Sequence, residues 1–241
     1  MENRTGNDFF ATTRWTMIAA ARDGDSPAAD EALQALCASY WFPLYAYVRR
    51  RGYSKEDAED LTQDFLVRVM DRTGLAVVES GKGKFRAFLL AALKYFLANE
   101  KDRTGRLKRG GGATHLPLDW HEADGRFQLA DASHPTPDRA FDREWAVTLL
   151  ERVVEGLRRE FVEEGRGERF EALKGFLAAG KGEVPYAEAA PGLGMDEGAL
   201  RVAVHRLRKR YRALLRQEVA RTLDDPAMVD EEIRALMEAF G

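Results

Sequence analysis

The sequence predicts an all-α protein made of two small helical domains joined by an acidic flexible linker. Three observations predict it. Apolar residues recur at helical spacing almost throughout, as in Leu33, Leu36 and Tyr40, in Leu61, Phe65, Leu66 and Val69, and in Phe88, Leu89, Ala92, Leu93, Phe96 and Leu97. An aperiodic stretch from Gly105 to Pro137, with the triple glycine 110–112 and the HPTP of 134–137, divides the periodic sequence in two. The chain has 241 residues, 45% of them hydrophobic, which is enough to bury a core in one large domain or two small ones. The sole hint of strand alternation is GLAVVES at 74–80.

In chain order, 1–27 is an N-terminal segment, expected to be irregular over 1–11 with a short helix at 12–22. A first domain occupies 28–110, with helices at 28–51, 54–72 and 84–104. Gly52 breaks the first, and Ser54 caps the second with Asp57 three positions on, a relative of the capping box. A linker covers 111–137. A second domain spans 138–220, with helices at 138–163, 167–179, 185–190 and 196–219; Pro191 should end the third of these early. An acidic segment, 221–241, closes the chain with a helix at 226–239 that opens on Pro226. There is no internal repeat.

Charge is distributed in blocks. The whole chain carries a net charge of -3, which argues against indiscriminate coating of nucleic acid or anionic membrane. Residues 82–109 nevertheless carry a net of +7, and 200–216 hold seven basic groups and no acid. Residues 119–138 carry a net of -4, and 218–241 a net of -5. A single cysteine, Cys37, allows no internal disulfide; no secretory pattern opens the chain, and no apolar run reaches the length of a membrane span. A cytoplasmic protein without membrane insertion is expected.

The basic stretch 197–216 is amphipathic. At about 100° per residue, Leu200, Ala203, Val204, Leu207, Tyr211, Leu214 and Leu215 share one side, and Arg201, Val202, His205, Arg206, Lys209, Arg212 and Arg216 the other; Arg208 and Arg210 flank the apolar stripe. PYAEAAPGLGMDEGAL supplies a short helix and a glycine-containing turn before it, the order of a helix-turn-helix. In that motif the second helix enters the major groove. Glu197, Arg201, Val202, His205 and Arg206 would approach base edges, and Lys209, Arg212 and Arg216 the backbone. A solvated basic face, or one docked on an acidic partner, is the alternative.

Taken with these residues, the chain resembles the RNA polymerase sigma factors, specifically the compact extracytoplasmic-function (ECF) group. PYAEAAPGLGMDEGALRVAVHRLRKRYRALLR is similar to sigma domain 4, whose helix-turn-helix reads the minus-35 promoter element. SKEDAEDLTQDFLVRVM resembles the domain 2 helix that docks on the β′ clamp of polymerase. KFRAFLLAALKYFLANEKDRTGRLKR resembles the next helix of that domain, which melts and reads the minus-10 element. The resemblance implies a transcription initiation factor whose partners are core RNA polymerase, through its β′ clamp and β subunit, and promoter DNA. An anti-sigma protein or other regulator is a further class of partner.

The residues give each assignment its own physical sense. Asp57, Asp60 and Asp64, with Gln63 a turn away, lie along one polar edge beside Leu61 and Phe65, which suits a basic partner helix; an ordinary solvated acidic face is the plainer reading. On the next helix Phe88, Lys94, Tyr95, Asn99, Lys101 and Arg103 interleave rings with cations, as single-stranded DNA requires. Most of those rings are expected in the core, with Tyr95 left open as a base platform. Where the family usually has Trp then Leu this chain has Phe88 and Leu89, and where it often has Asn then Asp it has Tyr95 and Asn99, so the departures fall on the minus-10 contacts. Domain 3 is expected to be absent, the linker running directly between domains and, by the resemblance, threading polymerase channels. The apolar face of Met228, Ile233, Leu236, Met237 and Phe240 is expected to pack on domain 4 or to bind a regulator, and the acidic tail to screen the basic helix.

Catalysis is not expected. The histidines 115, 121, 134 and 205 make no metal-ligand spacing, GKGKF lacks the phosphate-loop pattern, and no nucleophile stands with a base. No cofactor, metal or small-molecule substrate is implied. The rival to the sigma reading is a stand-alone helix-turn-helix transcription regulator with an N-terminal dimerisation domain.

Overall fold

A computed structural model describes residues 27–70, 84–104, 118–129, 136–178, 186–223 and 225–240. The expected helix at 12–22, the GLAVVES stretch and the triple glycine lie outside these residues. All regular structure among the described residues is helical. The helices are α1 (Pro27–Arg50), α2 (Lys55–Met70), α3 (Phe85–Thr104), α4 (Trp120–Leu129), α5 (Pro137–Glu163), α6 (Gly167–Leu173), α7 (Gly175–Ala178), α8 (Tyr186–Gly192), α9 (Glu197–Ala220) and α10 (Val229–Glu238), with a 3-10 turn at Pro226–Met228.

The chain forms two units. The first comprises 1–148 and 219–241, the second 149–218. The sequence sets the second domain at 138–220 and leaves the C-terminal helix either to pack on it or to bind a regulator. The boundary falls instead inside α5, because its opening turns belong with α3: Arg86 pairs with Asp142 and lies 4.9 Å over the Trp145 ring. The C-terminal helix α10 joins this same first unit, where Glu232 meets Lys84 and Arg86. Its expected packing on the second domain is thereby corrected.

In the first unit α1 supplies a band of buried rings and aliphatics, including Tyr40, Leu44, Tyr45, Tyr47 and Val48. Pro43 sits within this helix and is itself buried, so packing offsets the backbone bond it cannot make. Gly52, at φ 92, turns the chain toward α2. There Asp57 N–H donates to Ser54 Oγ at 3.0 Å, and the hydroxyl donates to Asp57 Oδ2 at 2.9 Å, so the cap is closed as its sequence predicts. Phe65 packs on Phe96 of α3, and Arg68 bonds Glu100 at 3.0 Å.

The expected flexible linker contains α4, a helix with an Asp119 cap that accepts from Glu122 N–H at 2.9 Å. Trp120 lies edge-on to Trp41 at 5.6 Å, Arg126 sits 4.2 Å over Phe42, and Phe127 receives Arg49 at 4.7 Å. Asp124 faces Arg49 and Lys55 at 3.8 and 3.6 Å. The acid density read as linker composition therefore serves ion pairing on α1 and α2 at this position.

The second unit is built on Leu149, Val153, Leu157 and Phe161 of α5, Phe170 and Leu173 of α6, Phe176 of α7, and the stripe of α9. Gly165, at φ 70, ends α5: its N–H bonds Val162 O, and Arg166 N–H reaches back to Phe161 O, a Schellman closure. The single helix expected at 167–179 is broken at Lys174 into α6 and α7.

Candidate nucleic-acid interface and acidic edge

In the second unit a short turn joins α8 to α9. α8 runs through Pro191 to Gly192, two residues beyond the expected end, because the proline lies in its last turn and is exposed. Gly194, at φ 64, then reverses the chain, with its N–H on Pro191 O and Met195 N–H on Ala190 O. Asp196 caps α9, its Oδ1 accepting from Ala199 N–H at 2.7 Å.

α9 sorts its side chains as the helical wheel implies. Leu200, Ala203, Val204, Leu207, Leu214 and Leu215 are buried, and Tyr211 is half-buried. Val202 is 50% exposed, and His205, Arg206, Lys209, Arg212 and Arg216 face solvent. The two flanking arginines are committed to the fold. Arg208 donates Nε and Nη2 to Phe176 O at 2.9 and 2.7 Å. Arg210 pairs with Glu160, which raises its pKa. Glu197 and Arg201, both expected at base edges, are paired with each other, and Arg201 also lies 5.4 Å over the Tyr186 ring. Arg206 and Lys209 have no acidic partner among the described residues. A groove of about 570 Å³ beside Val202 and Arg206 is lined also by Phe161, Leu173 and Arg169, and by the acids Glu160 and Glu164. Arg169 was missed in the sequence because it and Arg166 lie among acids, outside either basic block.

In the first unit α2 exposes Asp57, Asp60 and Asp64, and leaves Leu61 half-buried. Glu56, not singled out in the sequence, extends this edge by one position. Gln63 does not belong to it: the residue is buried, 7% exposed, because it lies on the same side as Thr62 and Phe65 against the core. Of the residues expected to meet the minus-10 element, Phe88 is half-buried and stacked on Phe85 at 6.0 Å. Lys94 pairs with Asp138, whose hydrogen bond raises the lysine's pKa. Tyr95 is 73% exposed, and Ala91, Ala98 and Asn99 around it are exposed as well. The side chains of Lys101 and Arg103 lie outside the described residues.

Other titratable groups of the first unit are structural: burial pushes the Cys37 thiol up to about 11 and the Tyr45 hydroxyl up to about 12. Among the described residues no group of His, Cys, Asp and Glu could hold a metal ion, and no helix is long and apolar enough to cross a membrane. No protein-family model, curated protein or solved structure matches the chain.

Proposed function

We propose that the protein is a promoter-specificity subunit of bacterial RNA polymerase, of the ECF sigma type. The observation that carries the reading is the helix, turn and helix of α8 and α9, whose outer face presents Arg206 and Lys209 with no acidic partner among the described residues, beside an exposed Val202. Such a face suits a major groove: Arg206 reads a base edge, the valine meets a thymine methyl, and Lys209 and Arg212 hold phosphates. The exposed acids Asp57, Asp60 and Asp64 on α2 support the second half of the reading, because a basic helix of the clamp finds there a row of carboxylates one turn apart. Tyr95 supports the third, as a solvated ring on which an unpaired base of the minus-10 element stacks. The polymerase supplies the chemistry; this chain supplies address and opening.

The experiment is co-elution of the purified chain with bacterial core RNA polymerase, beside an Asp60→Arg/Asp64→Arg variant. Both positions are exposed, so the variant keeps its fold. Binding by the wild type and loss in the variant is the expected result. Failure of both to bind, with tight binding to a palindromic duplex, would transfer the assignment to a stand-alone helix-turn-helix regulator.

A further inference from the structure

The acidic C-terminal helix is fastened to the first unit by a carboxylate. Glu232 of α10 has no exposed surface. Its Oε1 accepts from Arg86 Nε at 2.8 Å, and its Oε2 lies 2.5 Å from Lys84 Nζ. A buried carboxylate requires such partners, and these two belong to the basic block at 82–109. Arg86 is also held from beneath, by Asp142 and by the Trp145 ring 4.9 Å away. Its guanidinium therefore stays oriented whether or not α10 is present. The helix has fewer anchors: ten residues, of which Val229, Glu232 and Leu236 are buried, a preceding turn exposed from Asp225 to Met228, and outward Met237 and Phe240. A helix this short does not persist alone in water, so its undocking and its melting are one event.

We propose that Lys84 and Arg86 form an anion site for a nucleic-acid phosphate, occupied in the free protein by Glu232, so that the C-terminal helix competes with DNA for the first unit. The inference rests on the reading of α3 as a DNA-binding helix. Carboxylate and phosphate offer the same paired oxygens to a guanidinium and an ammonium. The net of -5 over 218–241 and of +7 over 82–109 favour the docked state until a polyanion replaces it. The sequence placed this screening on the basic helix of the second domain; the ion pairs place it at the start of α3.

The test is binding of the full chain to a fluorescein-labelled single-stranded oligonucleotide, followed by anisotropy across a salt series. Glu232→Gln is expected to bind about tenfold tighter than wild type, because the competent fraction rises. Its log-log salt slope stays close to that of wild type, because the same phosphates are neutralised once Glu232 is displaced. Lys84→Ala in that background returns affinity to the wild-type level. Equal affinity for wild type and Glu232→Gln overturns the competition and leaves the DNA reading of α3 standing, whereas no binding by either at low salt removes both. Should Glu232→Gln fail to fold, hydrogen exchange on the wild type decides: the α10 amides lose protection when the oligonucleotide binds, and undiminished protection at saturation overturns the proposal.

Discussion

Glu232 and Arg86 stand 146 residues apart in the sequence and meet through a 2.8 Å bond that has no exposed carboxylate surface. Burial by itself would raise the Glu232 carboxyl, but the bonds from Arg86 and Lys84 override it and hold the group below its ordinary 4.5. A carboxyl depressed on folding adds stability above its unfolded value and loses it as pH falls through the folded one. Wild-type stability should therefore decline as pH drops below about 4.5, and Glu232→Gln should decline less. Asp142, pushed up by burial and further by the Glu232 charge, contributes in the opposite sense, and does so less in the variant, where that charge is gone. Near neutrality the variant should be less stable by about 3 kcal/mol, since two cations face a neutral amide. Urea unfolding over a pH series measures both; coincident curves would exclude the ion cluster as a source of stability.

The turn between α8 and α9 depends on two residues of different kinds. Gly194 occupies the left-handed region at φ 64, where a side chain costs about 1–2 kcal/mol, and Asp196 supplies a cap worth about 1 kcal/mol. Gly194→Ala and Asp196→Ala should each lower the stability of the second unit by those amounts. A Cβ on Gly194 meets nothing within 4 Å, so the loss comes from backbone conformation rather than from collision. Gly194→Asn, which tolerates that conformation better, should recover part of it in the same denaturation assay.

Basic residues of α9 should separate into readers and braces. Arg206→Ala should cost about 1–3 kcal/mol at one base position, while Lys209→Ala or Arg212→Ala should weaken binding on all sequences and reduce the salt slope by about 1. Arg208→Ala should instead lower stability by about 1–2 kcal/mol, because Phe176 O loses both its donors, and leave the salt slope unchanged. Titrations against a specific and a random duplex, with thermal unfolding beside them, distinguish the two groups. Loss of slope in Arg208→Ala would contradict the division.

What the sequence could reveal follows from range. Ser54 with Asp57, Gly194, and the stripe from Leu200 to Leu215 are local patterns, and each appears where its spacing places it. The helix of α4 was legible too, in Trp120, Ala123 and Phe127 at steps of three and four, but proline, glycine and acid on either side obscured it. Gln63 was misread because one turn of α2 offers several polar residues, and only the packing of Thr62 and Phe65 shows which side faces inward. The docking of α10 had no local signal at all. Its apolar residues say that it packs, whereas its partners, Lys84 and Arg86, lie on the far side of the whole second unit in sequence and look like any other basic pair.

Tyr95 offers the sharpest separation of stability from binding on α3. The ring is 73% exposed, so its removal takes little apolar surface from the core, and substitution there should change stability by no more than about 0.5 kcal/mol. A base stacked on it should contribute about 1–3 kcal/mol, so Tyr95→Ala should weaken single-strand binding by that amount. Tyr95→Phe should bind as wild type does, because stacking needs the ring and not the hydroxyl. Neighbouring Phe96, 8% exposed and packed on Phe65, should behave oppositely: Phe96→Ala should unfold the unit before it tests any contact with DNA. Anisotropy on a labelled single strand and thermal unfolding of the three variants give the answer. If Tyr95→Ala binds as tightly as wild type, the ring is not a base platform, and α3 engages nucleic acid through its cations alone.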